Sequence, residues 1–143
     1  MARMTKQHFS AWVAVALLAL AAIGCGEAGP NYPHAALSGA ITLDDAPVET
    51  GRINFIPGSG VAGSPVAADV LDGRYEATEV PLGQLTVTFS LTKATGKMIV
   101  EGDREPYPEI ISIVPPHYAQ GLPLQVTGDN PAQDFHLTTK AAR

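Results

Sequence analysis

The sequence predicts an all-β protein, a seven-stranded antiparallel β-sandwich behind an N-terminal signal helix, and three observations carry that expectation. Beyond residue 26 the apolar residues recur with a period of two, and no stretch shows a helical period. The alternating runs are short and are separated by turn-forming residues about every eight to twelve positions. Glycine and proline number 14 and 12 of 143 residues, which suits a turn-rich β chain better than a helix bundle.

Each strand has its own signal. Leu37, Gly39, Ile41 and Leu43 alternate with Ser38, Ala40 and Thr42, a half-buried strand, and Asp44-Asp45-Ala46-Pro47 supplies turn chemistry. Gly51 to Pro57 is the second strand, with Ile53 and Phe55 on one face, closed by Gly58-Ser59-Gly60. Pro65 to Val70 is a weaker third strand. Asp72-Gly73 is a tight-hairpin dipeptide leading into the fourth strand, Arg74 to Ala77. Val80 to Gln84 reads as a turn before the strongest strand, in which Leu85, Val87, Phe89 and Leu91 alternate without exception. Leu122 to Thr127 and Gln133 to Thr139 complete the seven, separated by Gly128-Asp129-Asn130-Pro131. About 105 residues suffice to fill one core of this kind.

Composition narrows the function classes. Charged residues make up 16% and the formal net charge is −5, with no lysine or arginine cluster after the leader, so a nucleic acid partner is excluded. There is a single cysteine, so no intrachain disulfide supports the domain and stability must come from its core.

That cysteine ends a leader. Arg3 and Lys6 form a positive start, Ala11 to Ile23 is an apolar run of roughly 13 residues, and a membrane-spanning helix needs about 20. Ala22-Ile23-Gly24-Cys25 then resembles the lipobox of bacterial lipoproteins, with Ala22 where leucine is usual. The resemblance implies cleavage before Cys25 and acylation of its thiol, and two or three acyl chains hold a protein stably on a membrane. The expected organisation is a signal peptide over 1–24, a lipidated tether over 25–35 and one domain over 36–143.

Within the domain, Gly39, Pro47, Val48, Gly51, Phe55, Asp72, Gly73, Tyr75, Pro81 and Gly83 follow one another in an order and spacing that resembles the carboxypeptidase regulatory-like domain. Val114 to Tyr118, Leu124 to Val126 and Asp134 to Leu137 extend the resemblance over nearly all of the mature chain. It implies a transthyretin-like, Greek-key sandwich that is generally non-catalytic. In physical terms, Gly73 supplies a positive φ, Tyr75 buries its ring while wetting its hydroxyl, and Pro81 and Gly83 set a corner.

The search for chemistry yields little. His117 reads as a loop histidine beside Tyr118, and His136 with Asp134 and Thr138 as a polar strand face with too few ligands for a metal. Asp44 and Asp45 read as turn formers, and Glu101 to Glu105 as a solvated acidic loop rather than a calcium loop. Ser59 lacks a nucleophile elbow, and no glycine run precedes a helix that would cradle phosphate. No metal or cofactor motif is present. The segment 93–121 is the most distinctive, with Tyr107, His117 and Tyr118 as the expected ligand surface. Ile110 to Val114 is a further strand candidate within it.

The expectation is therefore a non-catalytic, membrane-anchored envelope lipoprotein, periplasmic or at the cell surface. Its lipidation site is Cys25, its partners are membrane lipid and an envelope protein or glycan, and it needs no cofactor. The alternatives are an accessory domain or cryptic hydrolase using 93–121, or a weak carbohydrate-binding module that relies on tyrosines because Trp12 leaves with the leader.

Overall fold

A computed structural model describes residues 29–141. The expected signal helix, Cys25 and tether residues 26–28 lie outside the described residues. The described chain forms nine strands and one short turn of 3-10 helix. The strands are β1 (His34–Leu43), β2 (Ala46–Pro47), β3 (Thr50–Pro57), β4 (Val66–Leu71), β5 (Arg74–Pro81), β6 (Gly83–Ile99), β7 (Tyr107–Ser112), β8 (Leu122–Val126) and β9 (Phe135–Leu137); the 3-10 turn is Pro116–Tyr118.

The strands make a sheet in the order β2-β1-β5-β4-β3-β6-β7, with β8 also on β6 and β9 also on β1. It curls into a half-barrel, so its concave side gathers the alternating apolar residues into one core. Ile41, Ile53, Phe55, Val70, Leu85, Val87 and Leu91 are almost wholly buried there. Phe55, Tyr75, Phe135 and Phe89 run through it as a chain of aromatic contacts, with ring centroids 5.9, 5.9 and 5.4 Å apart.

The hairpins follow their turn residues. Leu43 pairs with Ala46 and Leu71 with Arg74, leaving two-residue loops at Asp44-Asp45 and Asp72-Gly73. All four of these residues have positive φ, 49° and 67° in the first loop, 50° and 75° in the second. That is the type I′ geometry whose twist matches paired strands, and aspartate and glycine tolerate it best. The expected five-residue corner at Val80 to Gln84 shrinks to Leu82 alone, because β5 runs to Pro81 and β6 begins at Gly83.

Three further differences from the sequence reading are tertiary. The strand candidate at Ile110 to Val114 is present as β7, beginning earlier, at Tyr107, and ending at Ser112. β6 does not stop at Leu91 but continues to Ile99. The pairing is not uniformly antiparallel, since β9 runs parallel to β1 through Ile41–Phe135 and Leu43–Leu137.

The stretch before β9 covers the outer edge of β1. The amides of Ala36 and Ala40 each donate 2.7 Å hydrogen bonds to the carboxylates of Asp129 and Asp134, while Ser38 exchanges main-chain bonds with Asn130 and Gln133. An edge that would otherwise template aggregation is thereby closed. Residues placed in the tether also join the domain: Tyr32 donates to the Glu79 carbonyl (3.2 Å), and the Leu82 amide donates to the Pro33 carbonyl (3.0 Å).

Candidate functional site

β6 positions the most unusual surface. Its first half lies between β3 and β8, with Leu85 opposite Pro57 on one side and Leu124 on the other. The pairing with β3 ends at Thr50–Thr92. From Lys93 onward β6 has only β7 beside it, so residues 93–112 project as a two-stranded ribbon closed by the loop 100–106.

The ribbon register is interrupted once. Thr92 faces Ser112 and Ala94 faces Ile110, then a bulge intervenes before Met98 faces Pro108 and Ile99 faces Tyr107. Gly96, at φ 80°, lies within this bulge with open space around it. Directly paired residues share a face and neighbours along a strand alternate, so the two faces differ in kind. One carries Ala94, Met98, Pro108 and Ile110 and holds no charge. The other, continuous with the core side, carries Lys93, Ile99, Tyr107, Glu109 and Ile111, with the Thr95 hydroxyl donating to the Glu109 carboxylate.

Five of the seven large apolar side chains left exposed among the described residues are on this arm or its loop: Met98, Val100, Tyr107, Ile110 and Ile111. Val100 is 66% exposed and Ile110 59%. The loop beyond them is acidic, with Glu101, Asp103 and Glu105 exposed and the Arg104 guanidinium 4.0 Å from Glu101. At the foot of the arm, Leu43, Val48, Glu49, Lys93 and Ile113 line an open cavity of about 250 Å³.

The arm stands at the opposite end of β6 from the point where the chain joins the domain. His34 pairs with Pro81 just before β6 starts, and the 17 residues of β6 span roughly 50 Å along their contour.

The three expected surface residues are separated. Tyr107 sits near the arm's tip opposite Ile99. His117 is exposed on the 3-10 turn, its ring centroid 4.2 Å from that of Tyr118. Five residues of β7 alone put about 15 Å between Tyr107 and the start of that region. Tyr118 is half-buried against the core, and its hydroxyl accepts a 3.3 Å hydrogen bond from the Thr138 amide. It works as a brace between the 3-10 turn and the end of β9.

The other candidate groups are engaged in structure. His136 is exposed, with Nδ1 2.9 Å from the Thr42 hydroxyl, and Asp134 caps the Ala40 amide. Asp44 accepts from the amide and hydroxyl of Thr139 at 2.9 and 2.7 Å. Those bonds, the amide first, hold its carboxyl below the ordinary carboxylate range. Tyr75 buries its ring, and its hydroxyl donates to the Gln133 carbonyl. Burial, and secondarily the Asp134 charge, push its ionisation well above the usual tyrosine range. Among the described residues no three His, Cys, Asp or Glu side chains gather as a metal site.

Sequence reasoning singled out 93–121 and Tyr107 but missed Met98, Val100, Ile110 and Ile111 as exposed groups. The signal that could have found them was β-branched Thr95 and Ile99 continuing β6 past the lysines, with the Tyr107 to Ile111 run as its natural partner.

No family model matches the chain, and neither a curated protein nor a solved structure matches it.

Proposed function

We propose that this chain is a non-catalytic lipoprotein of the cell envelope, anchored through acylated Cys25, whose β domain holds out the β6–β7 arm to an envelope protein or glycan. The observation that carries the binding role is the arm itself. It concentrates exposed apolar side chains at the end of β6 remote from the chain's attachment point. Soluble surfaces rarely keep such side chains together unless something covers them.

The anchor rests on the leader: a positive start, a run too short to span a bilayer, and small residues leading into the sole cysteine. The finer architecture, a transthyretin-like Greek-key sandwich of the carboxypeptidase regulatory-like kind, is part of the same reading. Its support is the order of turn residues, together with the double role of β1, whose Thr42 and Leu43 lie between β2 on one side and β9 on the other while its earlier residues pair with β5. The hydrolase alternative needs His117, Tyr107 and the acidic loop 101–105 to form one site, whereas the His117 ring meets Tyr118 and no carboxylate within ion-pair reach among the described residues. That favours binding.

Two experiments test the proposal. Metabolic labelling with a fatty acid should mark the native chain and not Cys25→Ser; equal labelling overturns the anchor. A photo-crosslinking residue at Ile110, in the native envelope, should give an adduct that the same residue at exposed Thr78 does not; no adduct at either position overturns the binding role.

A further inference from the structure

We propose that the end of the domain where the chain enters is a membrane-contact surface, with the loop 58–65 resting on the lipid headgroups while the acidic end and the arm point away. The inference rests on the acylated Cys25 anchor proposed above, and it adds which face that anchor brings against the bilayer.

Several strand ends meet there. His34 pairs with Pro81, Pro57 with Leu85 and Gly83 with Val126, so the starts of β1 and β6 lie beside the ends of β3, β5 and β8. The connections at this end, Gly58 to Pro65, the corner at Leu82 and Thr127 to Gly128, hold no lysine, arginine, aspartate or glutamate. Glu79 and Asp129 flank them, and Asp129 accepts from the Ala36 amide. The opposite end is acidic. It carries Asp44, Asp45 and Asp72 in the two hairpins, Glu49 bonded beside them through its carbonyl, and the arm with its loop 101–105.

Chain length limits which end can meet the bilayer. Tyr32 donates to the Glu79 carbonyl and lies against Gly63, and the Pro33 carbonyl accepts from the Leu82 amide. The tether is thereby fastened to the uncharged end. The seven steps from Cys25 to Tyr32 reach at most about 25 Å when fully extended. The 10 residues of β1 place the hairpin end roughly 30 Å away. A tether of that reach is shorter than the domain, so the acidic end cannot be turned onto the lipid.

Charge decides between standing and lying flat. The outer face of the sheet exposes Arg52, Asp69, Arg74 and Glu76, whose hydration would be lost against headgroups. The uncharged loops lose less, and no carboxylate of theirs is repelled by anionic lipid within a Debye length.

The test uses the lipidated chain in vesicles of phosphatidylethanolamine and phosphatidylglycerol that carry a nitroxide on the headgroup. The chain has one cysteine, and acylation occupies its thiol, so Ala62→Cys, Ser90→Cys and Asp103→Cys each take a single fluorophore. All three positions are exposed. Quenching should be strongest at 62, intermediate at 90 and several-fold weaker at 103. Ser59→Glu with Ser64→Glu, both at exposed positions, should lower the quenching at 62 about twofold, and added salt should restore it. Circular dichroism of each chain should be unchanged. Quenching at 103 that equals or exceeds that at 62 overturns the orientation while the anchor stands, as does a glutamate pair without effect. A chain that does not float with the vesicles overturns the anchor, and this inference with it.

Discussion

The Tyr75 hydroxyl donates a 2.7 Å hydrogen bond to the main-chain carbonyl of Gln133, 58 residues further along the chain. This bond ties the start of β5, just after the Asp72-Gly73 hairpin, to the segment that covers the edge of β1. The ring beneath it packs between Phe55 and Phe135, so one side chain both fills the core and fastens its rim.

Tyr75→Phe keeps the ring and removes the fastening. The Gln133 carbonyl loses a partner, a loss of about 1–2 kcal/mol, seen as a lower denaturant midpoint with an unchanged slope. The same variant should change the alkaline limb. Because the folded-state ionisation of Tyr75 lies above its ordinary value of 10.0, its stabilisation is complete below pH 10 and declines as pH rises beyond it. Stability measured through that range should fall less steeply for Tyr75→Phe than for the native chain.

Gly39→Ala tests the closeness of that segment to β1. A Cβ at residue 39 overlaps the Gln133 carbonyl and lies 2.8 Å from an Asp134 carboxylate oxygen. Backbone must move, so a loss of about 1–3 kcal/mol is expected. Hydrogen exchange should speed up at Ser38 and Gln133, whose main-chain bond joins the two segments, more than at Ile53 in the central sheet.

Asp44→Asn addresses the acid limb. The Thr139 amide and hydroxyl depress the Asp44 ionisation below its usual 3.8, so its stabilisation is present above that pH and is lost as pH falls through the lower folded-state value. The native chain should lose stability below about pH 4. The asparagine variant has no group to titrate there, and the difference between the two chains should narrow as the native Asp44 protonates. A difference that stays constant down to pH 2 would contradict the role of the charge.

His117→Ala and Tyr118→Ala form a contrasting pair. His117 is exposed and touches one ring, so its removal should shift stability by no more than about 0.5 kcal/mol. Tyr118 is half-buried and holds the Thr138 amide, so its removal should cost about 2 kcal/mol. Thermal melts of the two variants decide this directly.

The elements legible in the sequence are those whose information is local. The alternation of Leu85, Val87, Phe89 and Leu91 puts one face inward whatever lies opposite, because the strand repeat is two. Asp72-Gly73 names its own hairpin, because a two-residue loop with positive φ at both positions admits few residue types. The proposed leader and Cys25 rest on the same kind of information, a pattern of charge, apolar length and small residues within a short window, and lie outside the described residues.

Other relationships join residues far apart, and the assembled sheet alone sets them. Ala40 and Asp134 are 94 positions apart, yet the carboxylate of one caps the amide of the other, and β9 runs parallel to β1 because this segment crosses that edge. The bond from the Tyr75 hydroxyl to Gln133 has the same origin. The arm is the reverse case: past Thr92 the third neighbour, β3, simply ends. Alternation along a strand says which residues share a face, but whether that face is covered depends on where other strands stop, and no local pattern carries that information. The inward face of Leu85 and Leu91 was therefore readable from sequence alone, while the exposed face of Met98 and Ile110 emerged only once the strands were set side by side.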